Sequence, residues 1–206
     1  MQKTLITACL AIAAFAAMVI VPAASASPAL TNAKGELVPV GTEIHAVVVG
    51  NGVFTGGFNI TCTGGEGSGK VTTNTGSSIK GELAAGSLKL TGTGANGDCT
   101  SALGNVGLSL TSKICGETVK GTDTVIATGC GGSPLTATVT VTGVGTCKYE
   151  AASMKGTFLT NHDAEGTISE QPAKGEAGNG FFCPTEGKLD VSLAESINTG
   201  ETLFIS

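Results

Sequence analysis

Six cysteines, two histidines and a few oxygen-rich stretches are the residues of this chain with chemistry to offer. Cys62, Cys99, Cys115, Cys130, Cys147 and Cys183 remain once Cys9 is assigned to an N-terminal leader. An even set in an exported chain reads as disulfides, and many connectivities are open at that point. Spacing narrows them. Cys62 to Cys99 is a step of 37 residues and Cys147 to Cys183 a step of 36. Both first cysteines follow a threonine, Thr61 and Thr146. Both second cysteines follow an Asn-Gly pair, Asn96-Gly97 and Asn179-Gly180. An alternating apolar run comes after each, Val106, Leu108, Leu110 and Leu189, Val191, Leu193. Matched steps suggest a duplicated unit, and a duplicated unit reuses its bridge. The expectation is Cys62–Cys99 and Cys147–Cys183, which leaves Cys115–Cys130. Zinc is not expected: there is no C-x-x-C, and only His45 and His162 could complete a ligand set.

Other motifs each have a plain alternative. Asn161, Asp163 and Glu165, followed by Gly166, imitate the start of a calcium loop. The twelfth position is Pro172 where a bidentate Glu is needed, so the segment reads first as a solvated turn and calcium stays a weak candidate. Gly64 to Lys70 matches G-x-x-x-x-G-K, but Val71 stands where a magnesium-binding Ser or Thr belongs. It reads as a flexible hairpin loop. No G-x-S-x-G occurs, and His45 alternates with Ile44 on a strand, facing outward. Thr136, Thr138, Thr140 and Thr142 form one row, which reads as the wet face of a sheet. Phe181 and Phe182 are adjacent, so on a strand they point to opposite sides; one ring is then exposed and is the best candidate contact for a partner. No catalytic residue and no cofactor is expected.

The elements that hold these residues are strands. From Leu135 to Thr142 the alternation is strict, with Leu135, Ala137, Val139 and Val141 on one face. Ile44, Ala46 and Val48 share a parity, as do Phe58, Ile60 and Cys62, and Leu88 and Leu90. Gly50-Asn51-Gly52, Gly64 to Gly69 and Gly129 to Gly132 read as breaks between strands. No long segment beyond the leader has helical periodicity. The fold class is therefore all-β: a disulfide-stapled antiparallel sandwich or barrel of ten to twelve strands, built from two duplicated units. The units span about 44–112 and 135–206, linked by 113–134, in one domain over 27–206.

Composition supports export and excludes several partners. Lys3 precedes an apolar, Ala-rich run from Leu5 to Val21, then Pro22 and Ala24-Ser25-Ala26. That is a secretory signal over residues 1–26 with cleavage after Ala26; retention as a membrane anchor is the competing reading. No other stretch is long enough to span a bilayer. The full chain carries a net charge of −5, and all 11 of its basic residues are lysine. A chain with no Arg and no basic stripe is not expected to bind nucleic acid. Thirty-two glycines, 29 threonines and few charges describe a mildly acidic, wet β surface.

Gly145 to Glu150 (GTCKYE), Phe181 to Asp190 (FFCPTEGKLD) and the terminal Glu201 to Ser206 resemble a family of secreted proteins from high-GC Gram-positive soil bacteria. Val38 to Thr42 and Gly97 to Ser101 fit the same resemblance. It implies an actinobacterial exported protein, and the family has no established activity to carry over. The expectation for function is a non-enzymatic extracellular or cell-envelope β protein with a structural or protein-interaction role. The alternative is a small-ligand or calcium-dependent binding module, its site formed by the loops at 161–166 and 64–69. A secreted hydrolase is third, and it requires His45 or His162 to meet a nucleophile.

Overall fold

The computed structural model describes residues 28–75, 78–119, 122–158, 164–197 and 201–205. It is all-β, with single-turn 3-10 helices only at Ala95–Gly97 and Cys130–Gly132 among these residues. In the N-terminal half the strands are β1 (Leu30–Thr31), β2 (Glu43–Thr55), β3 (Ile60–Cys62), β4 (Gly64–Asn74), β5 (Ile79–Leu83), β6 (Lys89–Thr91), β7 (Cys99–Ser101) and β8 (Gly104–Leu110). The C-terminal half supplies β9 (Ile114–Thr118), β10 (Thr124–Gly129), β11 (Leu135–Val141), β12 (Gly145–Ala151), β13 (Met154–Phe158), β14 (Glu165–Gly175), β15 (Glu186–Ile197) and β16 (Phe204–Ile205). That exceeds the ten to twelve expected, because several strands are only two or three residues long.

Fourteen strands form one antiparallel sheet that closes on itself. A circuit of twelve runs β2-β4-β5-β9-β10-β13-β14-β12-β11-β8-β7-β3 and back to β2, with β15 paired between β14 and β2. The pairings resolve this circuit into two rings of eight. One ring is β2-β4-β5-β9-β10-β13-β14-β15 and the other β2-β3-β7-β8-β11-β12-β14-β15. We call them the proximal and distal barrels. They share the wall β14-β15-β2, whose strands of 11, 12 and 13 residues run through both. Strands this long follow from the need to wall two barrels. Residues 113–134, read from sequence as the link between the two units, contain the β9–β10 hairpin of the proximal wall.

Bends in the shared wall set the junction. In β14 the register slips between Ile168 and Gln171, and Glu170 sits at φ 47°. Asp190 holds this bulge: its Oδ1 accepts from the Glu170 N–H at 2.7 Å and the Ser169 hydroxyl at 2.9 Å. In β2 the bulge contains Gly50 at φ 74°, a left-handed conformation that suits glycine. Gly50-Asn51-Gly52 is therefore a bend inside one strand and not a break between two.

Side-chain amides finish the ladder where strands diverge. Asn74 accepts from the Leu30 N–H at 3.0 Å and donates to the Leu30 and Val38 carbonyls at 2.7 and 2.9 Å. This pins the N-terminal segment across the proximal end, where β1 pairs with β16. Asn179 brackets Lys148 in the same way, with bonds of 2.8 and 2.7 Å. Gln171 Oε1 accepts from the Lys155 N–H at 2.8 Å where β13 leaves β14. Each amide presents a donor and an acceptor, so it can stand in for a missing strand.

The disulfides join Cys62 to Cys99, Cys115 to Cys130 and Cys147 to Cys183, as the spacing indicated. Cys62, Cys99 and Cys147 are buried in the distal barrel, whereas Cys115 and Cys130 lie on the outer side of the proximal wall. The two long-step bridges are not in equivalent places. One joins the short neighbouring strands β3 and β7, and the other ties β12 to the loop after β14. Three such bridges belong to a chain that folds in an oxidising compartment. No described helix is long and apolar enough to cross a membrane.

Candidate ligand-binding cavity

The alternation of each strand decides what fills each barrel. In the distal barrel the inward residues are large: Phe54, Ile60, Leu90, Leu108, Val139, Val141 and Tyr149, together with buried half-cystines. Phe54 and Tyr149 pack ring to ring at 4.9 Å. Glycines there make room for rings. A Cβ on Gly187 would collide with the Phe54 ring, and one on Gly145 would lie 2.6 Å from Phe182 Cζ.

The proximal barrel is different. Its strands read inward as Ile79, Gly81, Leu83 on β5, Ile114, Gly116, Thr118 on β9 and Val125, Ala127, Gly129 on β10. Gly81 is opposite Gly116 across the ladder, and Gly116 opposite Ala127. Three small residues thus meet on adjacent strands, and no ring among the described residues fills the space. A Cβ on Gly116 would find nothing nearer than Val125 Cγ2 at 3.9 Å, and one on Gly81 nothing nearer than the Lys70 carbonyl at 3.5 Å. The result is a cavity of about 160 Å³.

The cavity divides the apolar interior in two. The main cluster occupies the distal barrel and the waist; a smaller one, Leu30, Val38, Ile44, Val71, Ala164 and Leu203, lies at the proximal end. Leu30, Ile44, Val71 and Ala164 line the cavity from that end. Leu88, Leu135, Met154 and Leu189 line it from the waist. Among the described residues, Phe158 is the one aromatic side chain in its wall, beside Gly166.

Its lining is mostly apolar, and of its two threonines Thr167 pairs its Oγ1 with Ser192 Oγ at 2.9 Å. Thr118 is buried, but its Oγ1 already accepts from the Ile79 N–H at 3.0 Å. Lys80, Glu82 and Glu117 belong to lining strands but send their side chains to the outer face. Lys80 Nζ pairs with Glu117 Oε1 at 2.9 Å. Glu82 is held between Lys113 at 2.8 Å and Lys70 at 3.2 Å. The hydrogen bond from Lys113, then that from Lys70, holds its carboxyl below the ordinary glutamate range. Two buried hydroxyls among the described residues lack a partner, Ser78 and Tyr149, and neither lines this cavity. Burial raises the pKa of Tyr149, since the charged phenolate would be left without water.

The residues singled out from sequence fall elsewhere. Gly64 to Gly69 is no loop: it is the first part of β4, paired with β2, β5 and β6. Gly67 and Gly69 are needed there because Leu88 and the Glu82 carbonyl approach the backbone closely. Asn161, His162 and Asp163 lie outside the described residues. Glu165 and Gly166 open β14, so the glycine that a calcium loop would use for its turn lies in a paired strand. His45 sits on the outer face of β2, its Nε2 3.5 Å from Glu66 Oε2, and it does not line this cavity. The one close group of potential metal ligands among the described residues is Glu82 with Cys115 and Cys130, and both sulfurs are spent in a disulfide. Phe181 is fully exposed and Phe182 packs against the distal core, but both lie in the loop after β14 and not on a strand.

Sequence reasoning missed the cavity itself. Its signal, inward parity of Gly81, Gly116 and Ala127, exists only once the register between three strands is known. No protein-family model matches this chain, and neither a curated protein nor a solved structure matches it.

Proposed function

We propose that the chain is an exported, disulfide-stapled β-barrel module that holds a small molecule inside its proximal barrel. The observation that carries this reading is the cavity left by the opposed Gly81 and Gly116, in a chain whose other barrel is filled. Interiors pack closely, and a void of this size costs stability unless something occupies it. The reading is of binding without chemistry. The only side-chain heteroatoms among the inward residues named are the Thr118 hydroxyl and the Met154 thioether, and neither transfers a proton. The three disulfides fit export, and the signal-like residues 1–26 direct it.

Native mass spectrometry of the protein purified from its own culture medium tests this. A small molecule retained by the wild-type chain and missing from Gly116→Leu supports it. A bare chain mass, together with no stabilisation by any of a broad set of small molecules, counts against it.

A second reading rests on a different observation. Leu103, Val144 and Phe181 are exposed apolar residues on three loops at the distal end. The pairing of β8 with β11 brings the first two loops together, and Phe182 against Gly145 brings the third. This end suits a protein-interaction or envelope role. Light scattering after size exclusion tests it: a large assembly lost on Phe181→Ser favours the interaction role, and a clean monomer weakens it.

A further inference from the structure

We infer that the ligand of the proximal barrel is a compact, uncharged hydrocarbon-like molecule, an aromatic ring or a branched or cyclic skeleton of about six to ten heavy atoms. This deepens the small-molecule reading above and rests on it.

Charge is the first criterion. A buried carboxylate or ammonium needs a partner, because desolvation is otherwise prohibitive. Here Lys80 and Glu117 neutralise each other on the outer face, and Glu82 is taken by two lysines there. No cationic or anionic side chain is left pointing into the lumen among the described residues. Hydrogen bonding is the second. The inward hydroxyl, Thr118, is engaged with the main chain of Ile79. A sugar or an amide would leave its donors unpaired, and that is a strong ground for rejection.

Size and shape are the third. The cavity of about 160 Å³ is close to the roughly 150 Å³ apolar cavity known to stay dry and take benzene or xenon. Leu30 and Ala164 line it at one end and Leu88, Leu135, Met154 and Leu189 at the other. A cavity of about 160 Å³ is too small to take up a long acyl chain whole. Phe158 offers one ring face or edge, and the flexible thioether of Met154 adapts to different outlines. Width comes from Gly81, Gly116 and Ala127, where any larger residue would fill the space.

The test uses Met154 as a reporter. It is the only methionine after residue 18, so a methyl-labelled Met resonance from the folded barrel belongs to the lumen wall. The oxidised, exported protein is titrated with benzene, a branched cyclic C10 hydrocarbon, octanoate and hexadecanoate. Saturable shifts of the Met154 methyl are expected with the first two and none with the acids. Gly116→Leu should weaken the response at least tenfold while keeping a folded spectrum; Gly81→Val serves if Gly116→Leu does not fold. Binding of octanoate or hexadecanoate in preference to the hydrocarbons would overturn the ligand class and leave the small-molecule reading standing. No shift with any probe up to its solubility limit, and none under xenon pressure, would overturn both.

Discussion

The two barrels share three strands and solve the same packing problem in opposite ways. Both place glycines on inward positions. In the distal barrel Gly187 receives the Phe54 ring and Gly145 the Phe182 ring, so each missing side chain is replaced by an aromatic one. In the proximal barrel Gly81 and Gly116 face each other across β5 and β9, and no ring among the described residues takes their place. The buried disulfide atoms Cys62, Cys99 and Cys147 are likewise in the distal barrel, while Cys115–Cys130 is outside the proximal one. One barrel is thus a filled core, and the other keeps a lumen. The lesson is that glycine in a strand has no fixed meaning: what matters is whether another residue claims its volume.

Substitutions of one type in both barrels sharpen this contrast. Phe54→Ala should cost about 3–5 kcal/mol in denaturant unfolding, since a buried ring leaves a hole in a filled core. Phe158→Ala should cost much less, about 1–2 kcal/mol, because its ring already borders open space. Equal losses would break the comparison.

The disulfides come next. Removing Cys62–Cys99 as a double alanine variant should cost about 3–4 kcal/mol, the chain-entropy value for its loop, and a further penalty for the buried atoms. Removing Cys115–Cys130 should cost about 3 kcal/mol at most, with no packing penalty. Thermal unfolding of the two variants checks the order.

Smaller effects have opposite chemistry in the two barrels. Gly116→Val adds atoms to the hollow barrel and should raise stability by about 1 kcal/mol, through lost unfolded-state freedom and new burial. Tyr149→Phe removes an atom from the filled barrel and should also raise stability by about 1 kcal/mol, because the hydroxyl is buried with no partner. A loss in either case would mean that the volume or the hydroxyl is used.

The smallest effect is pH-dependent. Glu82 has its carboxyl pKa lowered in the folded chain, first by Lys113 and then by Lys70. Its contribution is present above the ordinary value of 4.5 and is lost as pH falls through the lowered folded value. Glu82→Gln should therefore lower the melting temperature slightly at pH 7 and leave it unchanged in strong acid.

Much of the fold was legible in the residues. The alternation from Leu135 to Val141 survives as β11, with Leu135, Val139 and Val141 buried and Thr140 exposed. The bridge pairing followed from two matched steps, although the strands around the two bridges differ. Glycine runs misled. Gly64 to Gly69 is strand because three neighbouring strands supply its hydrogen bonds, and the close approach of Leu88 and the Glu82 carbonyl tolerates no side chain. Local propensity cannot report such partners, since they lie far away in the chain. The cavity was illegible for the same reason. Gly81 and Gly116 are 35 positions apart, and only the register of β5 on β9 makes them neighbours.

The most direct measurement is a crystal structure of the oxidised protein under xenon pressure. A xenon site is expected between Gly81, Gly116 and Met154, and none inside the distal barrel around Phe54 and Tyr149. Xenon absent from the proximal barrel, or side chains found to have closed over Gly81 and Gly116, would contradict it.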